Sequence, residues 1–168
     1  MTDLRKTVAI VGVDESDEIG KVPGKSNLQH HAEAAHNALD DAGMSLKDVN
    51  GLFCSGNTAM GSLNIAEYLG IEPSFTDTTA VGGSSFVIHI AHAMAAINAG
   101  YCDVALVTHG EAGRSRRTRP GPDPADPGPQ YEIPYGLIGP PVNYAMAARR
   151  YMHIYGEDKT RQGMAEVA

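Results

Sequence analysis

Residues 80–111 read AVGGSSFVIHIAHAMAAINAGYCDVALVTHGE. A glycine pair and two serines open the stretch, a glycine-rich turn of the kind that joins a strand to a helix. The run from about Phe86 to Asn98 is apolar nearly throughout, has helical length, and is closed by Gly100, which predicts a long buried helix. Asp103–Thr108 (DVALVT) is then a strand, nearly all apolar and expected at the centre of a sheet. The polar HGE that follows, His109 to Glu111, falls at that strand's carboxyl end.

The same alternation extends upstream. Val49–Ser55 (VNGLFCS) reads as a short strand, Leu63–Leu69 as a helix ended by Gly70 and Pro73, and Ser74–Thr79 (SFTDTT) as a strand polar enough for a sheet edge. Leu28, Ala32, Ala35 and Leu39 make an apolar stripe on a helix from about Leu28 to Ala42, capped by Ser26 or Asn27 and stopped by Gly43. Thr7–Val13 (TVAIVGV) is β-branched and continuous, and is expected to be a strand buried on both faces. Strand and helix alternate throughout, so the fold class is α/β, with a mixed, mostly parallel sheet and helices on both faces.

Downstream the composition changes. Eight of the ten prolines and four arginines lie within residues 113–141, expected to be a long irregular Pro/Arg-rich loop inserted in the single domain 1–168. Helical pattern resumes over Val142–Tyr155, stops at Gly156, and restarts at Thr160 or Arg161.

Composition bounds the function. A chain of 168 residues with 42% apolar content holds a sizeable core. Its 13 basic residues face 20 acidic ones, a formal charge of -7, which argues against nucleic acid as a partner. No stretch reaches the ~20 apolar residues of a membrane span, and a cytoplasmic location is expected. Cys54 and Cys102 have no second thiol or histidine at metal spacing, so neither a disulfide framework nor a metal site is indicated.

Several residues have the chemistry for a site, each beside a plainer reading. Glycines at 82 and 83 permit close backbone approach, and the N–H groups of a helix start stabilise an anion, while Ser84 or Ser85 becomes a nucleophile only if a base reaches it. Otherwise one of the two serines is simply the N-cap. His109 and Glu111, where parallel sheets bind ligands, are site candidates, or else anchor the loop beyond them. His89 and His92 lie three apart on one helix, a spacing open to a metal, but no third ligand is near, and histidines satisfied by backbone or side-chain partners are the favoured reading. His30 and His31 are expected to be solvated or interfacial. Arg114, Arg116 and Arg117 offer guanidinium forks to phosphates, or form a solvated loop. Tyr131–Pro141 is apolar and aromatic for a loop, which predicts that it covers a tunnel or a partner.

Four segments in order, AIVGV, AAHNALDDAGMSLKDVNGLF, the glycine turn and helix through INAGYCDVALVTHGE, and YEIPYGLIGPPVNYAMAARRYMHIYG, resemble the N-terminal half of sterol-carrier or lipid-transfer-type thiolases. The resemblance covers almost the whole chain. It implies a thiolase-like fold of two similar halves, of which this sequence supplies one, and acyl-CoA thioesters as substrate. It places Gly83, with Ser84 beside it, where the family carries its nucleophilic cysteine. Relatives lacking that cysteine include aldolases that cleave CoA-thioester side chains in steroid breakdown with a partner protein. The resemblance further implies a homodimer contact through Phe75, Thr76, Asp77 and Thr78, a covering loop with Tyr131, Tyr135 and Leu137, CoA phosphates at the arginines, and a second chain that supplies the missing half or holds the acyl-CoA. The expected function is that of an acyl-CoA enzyme, by acyl transfer or retro-aldol cleavage, acting without a cysteine; the alternative is a non-catalytic acyl-CoA-binding or structural subunit.

Overall fold

The computed structural model describes residues 6–55, 60–115 and 123–168. They fall into two compact units, Met1–Thr118 and Arg119–Ala168. In the first unit helix α1 spans Asn27–Ala42. Its start is a capping box: Ser26 Oγ accepts the Gln29 N–H at 3.2 Å, and Gln29 Oε1 accepts the Ser26 N–H at 2.7 Å. Gly43 ends it in the left-handed region at φ 66°, its N–H bonded back to Asp40 O. The elements that follow are β1 (Gly51–Cys54), α2 (Ser62–Leu69), β2 (Phe75–Asp77), α3 (Ser85–Asn98) and β3 (Ala105–Thr108).

The three strands form a parallel sheet in the order β2-β1-β3. Gly51 pairs with Phe75 on one side and with Ala105 on the other. Successive strand residues point to opposite faces, and both faces are filled. Leu52, Cys54 and Leu106 join Ala35 and Leu39 of α1 and Ile65, Ala66 and Leu69 of α2 in one core. Phe53, with Phe75, Ala105 and Val107, packs against Ala93 and Ala96 of α3 in the other. Helices on both faces are the expected arrangement. Cys102 comes so close to β1 that a Cβ on Gly51 would lie 2.7 Å from its Sγ, and this requires the glycine.

Three expectations are corrected. Thr7–Val13 carries no strand. Gly12 lies against α1, where a Cβ would fall 2.2 Å from Ala38 O. The Val13 N–H is bonded to the Asp41 carboxylate, and Ile10, Val11 and Val13 are exposed. The segment is thus held by the second half of α1 and, among the described residues, belongs to no sheet. Second, the apolar strand β3 is not central among the described residues, because it pairs only with β1, which is. Its apolar character comes from burial on two faces, which periodicity cannot tell from a central position. Third, the Pro-rich stretch is not wholly irregular. In the second unit Pro129–Glu132 forms a short helix α4, followed by a 3-10 turn over Ile133–Tyr135, as proline favours in first helical turns.

The second unit continues with α5 (Pro140–Tyr155), which opens on two prolines, and α6 (Glu157–Val167), which begins earlier than its pattern predicts. Thr160 Oγ1–H donates to Gly156 O at 2.7 Å and ties the two at their junction. No described helix is long and apolar enough to cross a membrane.

Candidate functional site

The turn before α3 is built by one hydroxyl. Ser85 is fully buried; its Oγ–H donates to Gly82 O at 2.6 Å and its Oγ accepts the Val81 N–H at 3.0 Å. Gly82 has φ 77°, a conformation that favours glycine. Gly83 is different: a Cβ there would meet nothing within 4 Å. Ser84 occupies the N-cap position of α3 but makes no side-chain cap bond, and it is exposed. Ser84 thus stands at the N-cap as the plain reading expected, with its hydroxyl at the surface, while Ser85 closes the turn with backbone bonds.

His109 leaves the carboxyl end of β3 with its ring centroid 4.5 Å from that of Phe86, in the first turn of α3. Phe86 thereby joins the glycine turn to the strand exit. Nε2 of His109 is 3.8 Å from Glu111 Oε2. A cavity of about 520 Å³ opens beside this exit, lined by Thr108, His109 and Glu111 together with His30, Glu15 and Ser16.

Behind it lies His31, expected to be solvated or interfacial; the ring is instead fully buried within the unit. Its Nδ1 is 3.1 Å from Thr108 Oγ1, and its ring stands edge-on to that of His109 at 6.2 Å. It belongs to the face of α1 that meets β3, along with Ala35. Burial first, then the charges of His109 and His30, lower its pKa to about 4. His30, one residue earlier, meets Ser16 Oγ at 3.2 Å. His89 is buried with Nε2 3.0 Å from Thr79 O and with Nδ1 lacking a hydrogen-bond partner, and His92 pairs with Asp77, so each histidine of α3 has a backbone or side-chain partner, as expected.

Gly110 follows His109 in a tight approach, where a Cβ would lie 2.5 Å from Asn27 O and 2.6 Å from His31 N. The Ala112 N–H then donates to Asn27 Oδ1 at 2.9 Å. Arg114 is exposed near Gly20. Arg116 and Arg117 lie outside the described residues. Of the expected edge residues, Thr76 and Thr78 are exposed, Phe75 stacks on Tyr101 with centroids 5.5 Å apart, and Asp77 turns its carboxylate toward Thr79 and His92. In the second unit Tyr131 and Tyr135 are exposed and Leu137 is half-buried. Both cysteines are free and buried. Burial, with Asp77 adding, pushes the Cys54 thiol up to about 11; burial, with Asp103 adding, raises Cys102.

Sequence reading named Asp77 only as an edge contact and singled out neither Thr79 nor the ring of Phe86. The spacing of His89 and His92 was the available signal, since two histidines on one helical face need partners on the neighbouring segment.

No family model matches the chain. It is 32% identical over 174 residues to the 17-hydroxy-3-oxo-4-pregnene-20-carboxyl-CoA lyase of Mycobacterium tuberculosis, a match covering 98% of this chain and 45% of the relative. Among solved structures it matches the Ltp2-ChsH2(DUF35) aldolase with TM-score 0.74 and 33% identity, over 89% of this chain and 38% of that one. It also matches a monomeric SCP2-thiolase like protein of Mycobacterium smegmatis with TM-score 0.63 and 24% identity, over 94% and 32%, a likeness of fold alone. A helix-covered parallel sheet whose glycine turn opens a long apolar helix is, with these matches, the architecture of a known class. The chain is a thiolase-like domain. Within that class its sequence is similar to a steroid acyl-CoA lyase, less than half of whose length it spans.

Proposed function

We propose that this domain is part of an acyl-CoA lyase that breaks a carbon–carbon bond by retro-aldol cleavage without a cysteine nucleophile. The observation that carries the reading is Gly83. The position implied for the family's cysteine has no side chain and opens onto free space, and the two thiols that exist are buried with raised pKa values. Among these residues covalent thiolysis finds no available cysteine. A retro-aldol step needs none: a base takes the proton of a β-hydroxyl, the carbon–carbon bond breaks to leave a ketone, and the electron pair passes into the thioester as an enolate that later takes up a proton.

In this proposal the N–H groups at the start of α3, around Gly83 and Ser84, stabilise the enolate oxygen, and the Ser84 hydroxyl adds a donor. Ser85 holds the turn. His109 is the proton carrier, with Glu111 orienting it. Arg114, with Arg116 and Arg117, takes the CoA phosphates, and Tyr131, Tyr135 and Leu137 contact the acyl part. The β2 edge around Thr76 and Thr78 pairs with a second copy in a cytoplasmic homodimer. The similarity to an aldolase determined with ChsH2(DUF35) supports a second chain that presents the acyl-CoA.

The test is cleavage of a β-hydroxy acyl-CoA by the protein purified with whatever chain accompanies it, in wild type and in a variant carrying Cys54→Ala and Cys102→Ala. Turnover that survives loss of both thiols supports the lyase; acyl transfer from the same thioester favours a transferase. Binding without turnover, with every accompanying chain present, favours a non-catalytic acyl-CoA-binding subunit.

A further inference from the structure

The two histidines of α3 and the carboxylate that ends β2 form a linked set that the lyase reading leaves unused. Asp77 Oδ1 accepts both the Thr79 N–H at 2.8 Å and the Thr79 Oγ1–H at 2.7 Å. Its other oxygen accepts His92 Nδ1–H at 2.5 Å. Thr79 in turn meets His89 through its carbonyl. A carbonyl only accepts, so the 3.0 Å contact to His89 Nε2 fixes the proton of that ring on Nε2 and leaves Nδ1 bare, buried and without a hydrogen-bond partner.

Thus Asp77 grips Thr79 by two bonds and α3 by one, and Thr79 grips α3 by another, three residues away on the same helix. Five residues separate Thr79 from Ser85, whose hydroxyl pins the far end of the turn to Val81 and Gly82. Gly82 and Gly83 supply little conformational restraint of their own. The ordering of the glycine turn must come from its two ends, and one end is Asp77.

We propose that Asp77 is a positioning residue: through Thr79 and the two histidines of α3 it sets the placement of the glycine turn. The proposal deepens the lyase reading and rests on it for the claim that this placement matters to turnover. The clamp itself does not depend on that reading.

The experiment measures amide hydrogen exchange and imidazole nitrogen shifts of the purified protein, with any chain that accompanies it and without acyl-CoA, for wild type, Asp77→Ala and Asp77→Asn. In wild type the His89 proton resides on Nε2. In Asp77→Ala the loss of two bonds to Thr79 speeds exchange of the amides of residues 79–85 about tenfold, with Leu52 and Phe53 unchanged, and His89 samples both tautomers. Asp77→Asn, whose amide oxygen still accepts from Thr79, restores most of the protection. Unchanged exchange in Asp77→Ala, or acceleration equal to that at Leu52 and Phe53, overturns the proposal. If that variant does not fold, Thr79→Val, which loses the hydroxyl bond alone, takes its place and must show a smaller acceleration confined to the same residues; none overturns it. With a β-hydroxy acyl-CoA, Asp77→Ala is expected to lower kcat more than it changes KM, and an unaltered kcat overturns the positioning role. Wild type that shows the exchange pattern but no turnover overturns the lyase reading alone.

Discussion

His31 and Thr108 join helix α1 to the end of β3 across 77 positions of sequence, with Nδ1 and Oγ1 3.1 Å apart in a fully buried contact. The imidazole is neutral there. Its pKa of about 4 lies below the ordinary 6.5, so between those values the unfolded chain binds a proton that the folded one refuses. Stability is fully present above about pH 6.5 and falls toward pH 4, by roughly 2–3 kcal/mol in all. Urea titrations at several pH values are expected to show this slope in wild type and a shallower one in His31→Asn. Equal slopes would remove His31 from the acid response.

The two glycines of the turn are expected to behave differently. Gly82→Ala places a side chain at φ 77° and costs about 1 kcal/mol, whereas Gly83→Ala enters open space outside the left-handed region and leaves stability unchanged or raises it by about 0.5 kcal/mol. Thermal unfolding of the pair measures the difference, and an equal loss in both would contradict the geometry of the turn.

A similar contrast holds for the serines. Ser85→Ala removes both backbone bonds of a buried hydroxyl and is expected to lower stability by about 1–2 kcal/mol. Ser84→Ala leaves stability within about 0.5 kcal/mol, since the hydroxyl caps nothing, and lowers turnover of acyl-CoA. A full rate in Ser84→Ala would take this hydroxyl out of the reaction.

Cys54 and Cys102 are expected to resist alkylation in the folded protein at neutral pH. Both are buried, and the raised thiol pKa values leave little thiolate to react. Mass spectrometry after iodoacetamide should find them unmodified until denaturant is added; rapid labelling of either in native buffer would contradict the packing around β1.

Most elements of the first unit could be read in the sequence because each signal was local. Ser26 and Gln29 bracket a helix start, Gly43 ends it, and the stripe through Ala35 and Leu39 is the face that is buried. The run Thr7–Val13 was misleading for the opposite reason. Its β-branched pattern is that of a strand, but a strand needs a neighbour, and Gly12 packs on α1 instead. The candidate site was legible where position follows topology, as with His109 at the carboxyl end of β3, and illegible where it depends on contacts between distant segments. Nothing near His31 announces Thr108, and the polar residues of Ser74–Thr79, read as an edge, hide that Asp77 faces inward to His92.

At Gly110 the main chain of one segment rests directly on the main chain of another, for Asn27 and His31 leave no room for so much as a methyl group. Together with the bond from Ala112 to Asn27, this makes the exit of β3 and the first turn of α1 a single mechanical part. Glu111 cannot shift without carrying the helix, and the helix cannot tilt without carrying Glu111. Whatever the domain binds beside His109 therefore meets a wall of fixed shape, and adaptation to different ligands has to come from side chains and not from the backbone here.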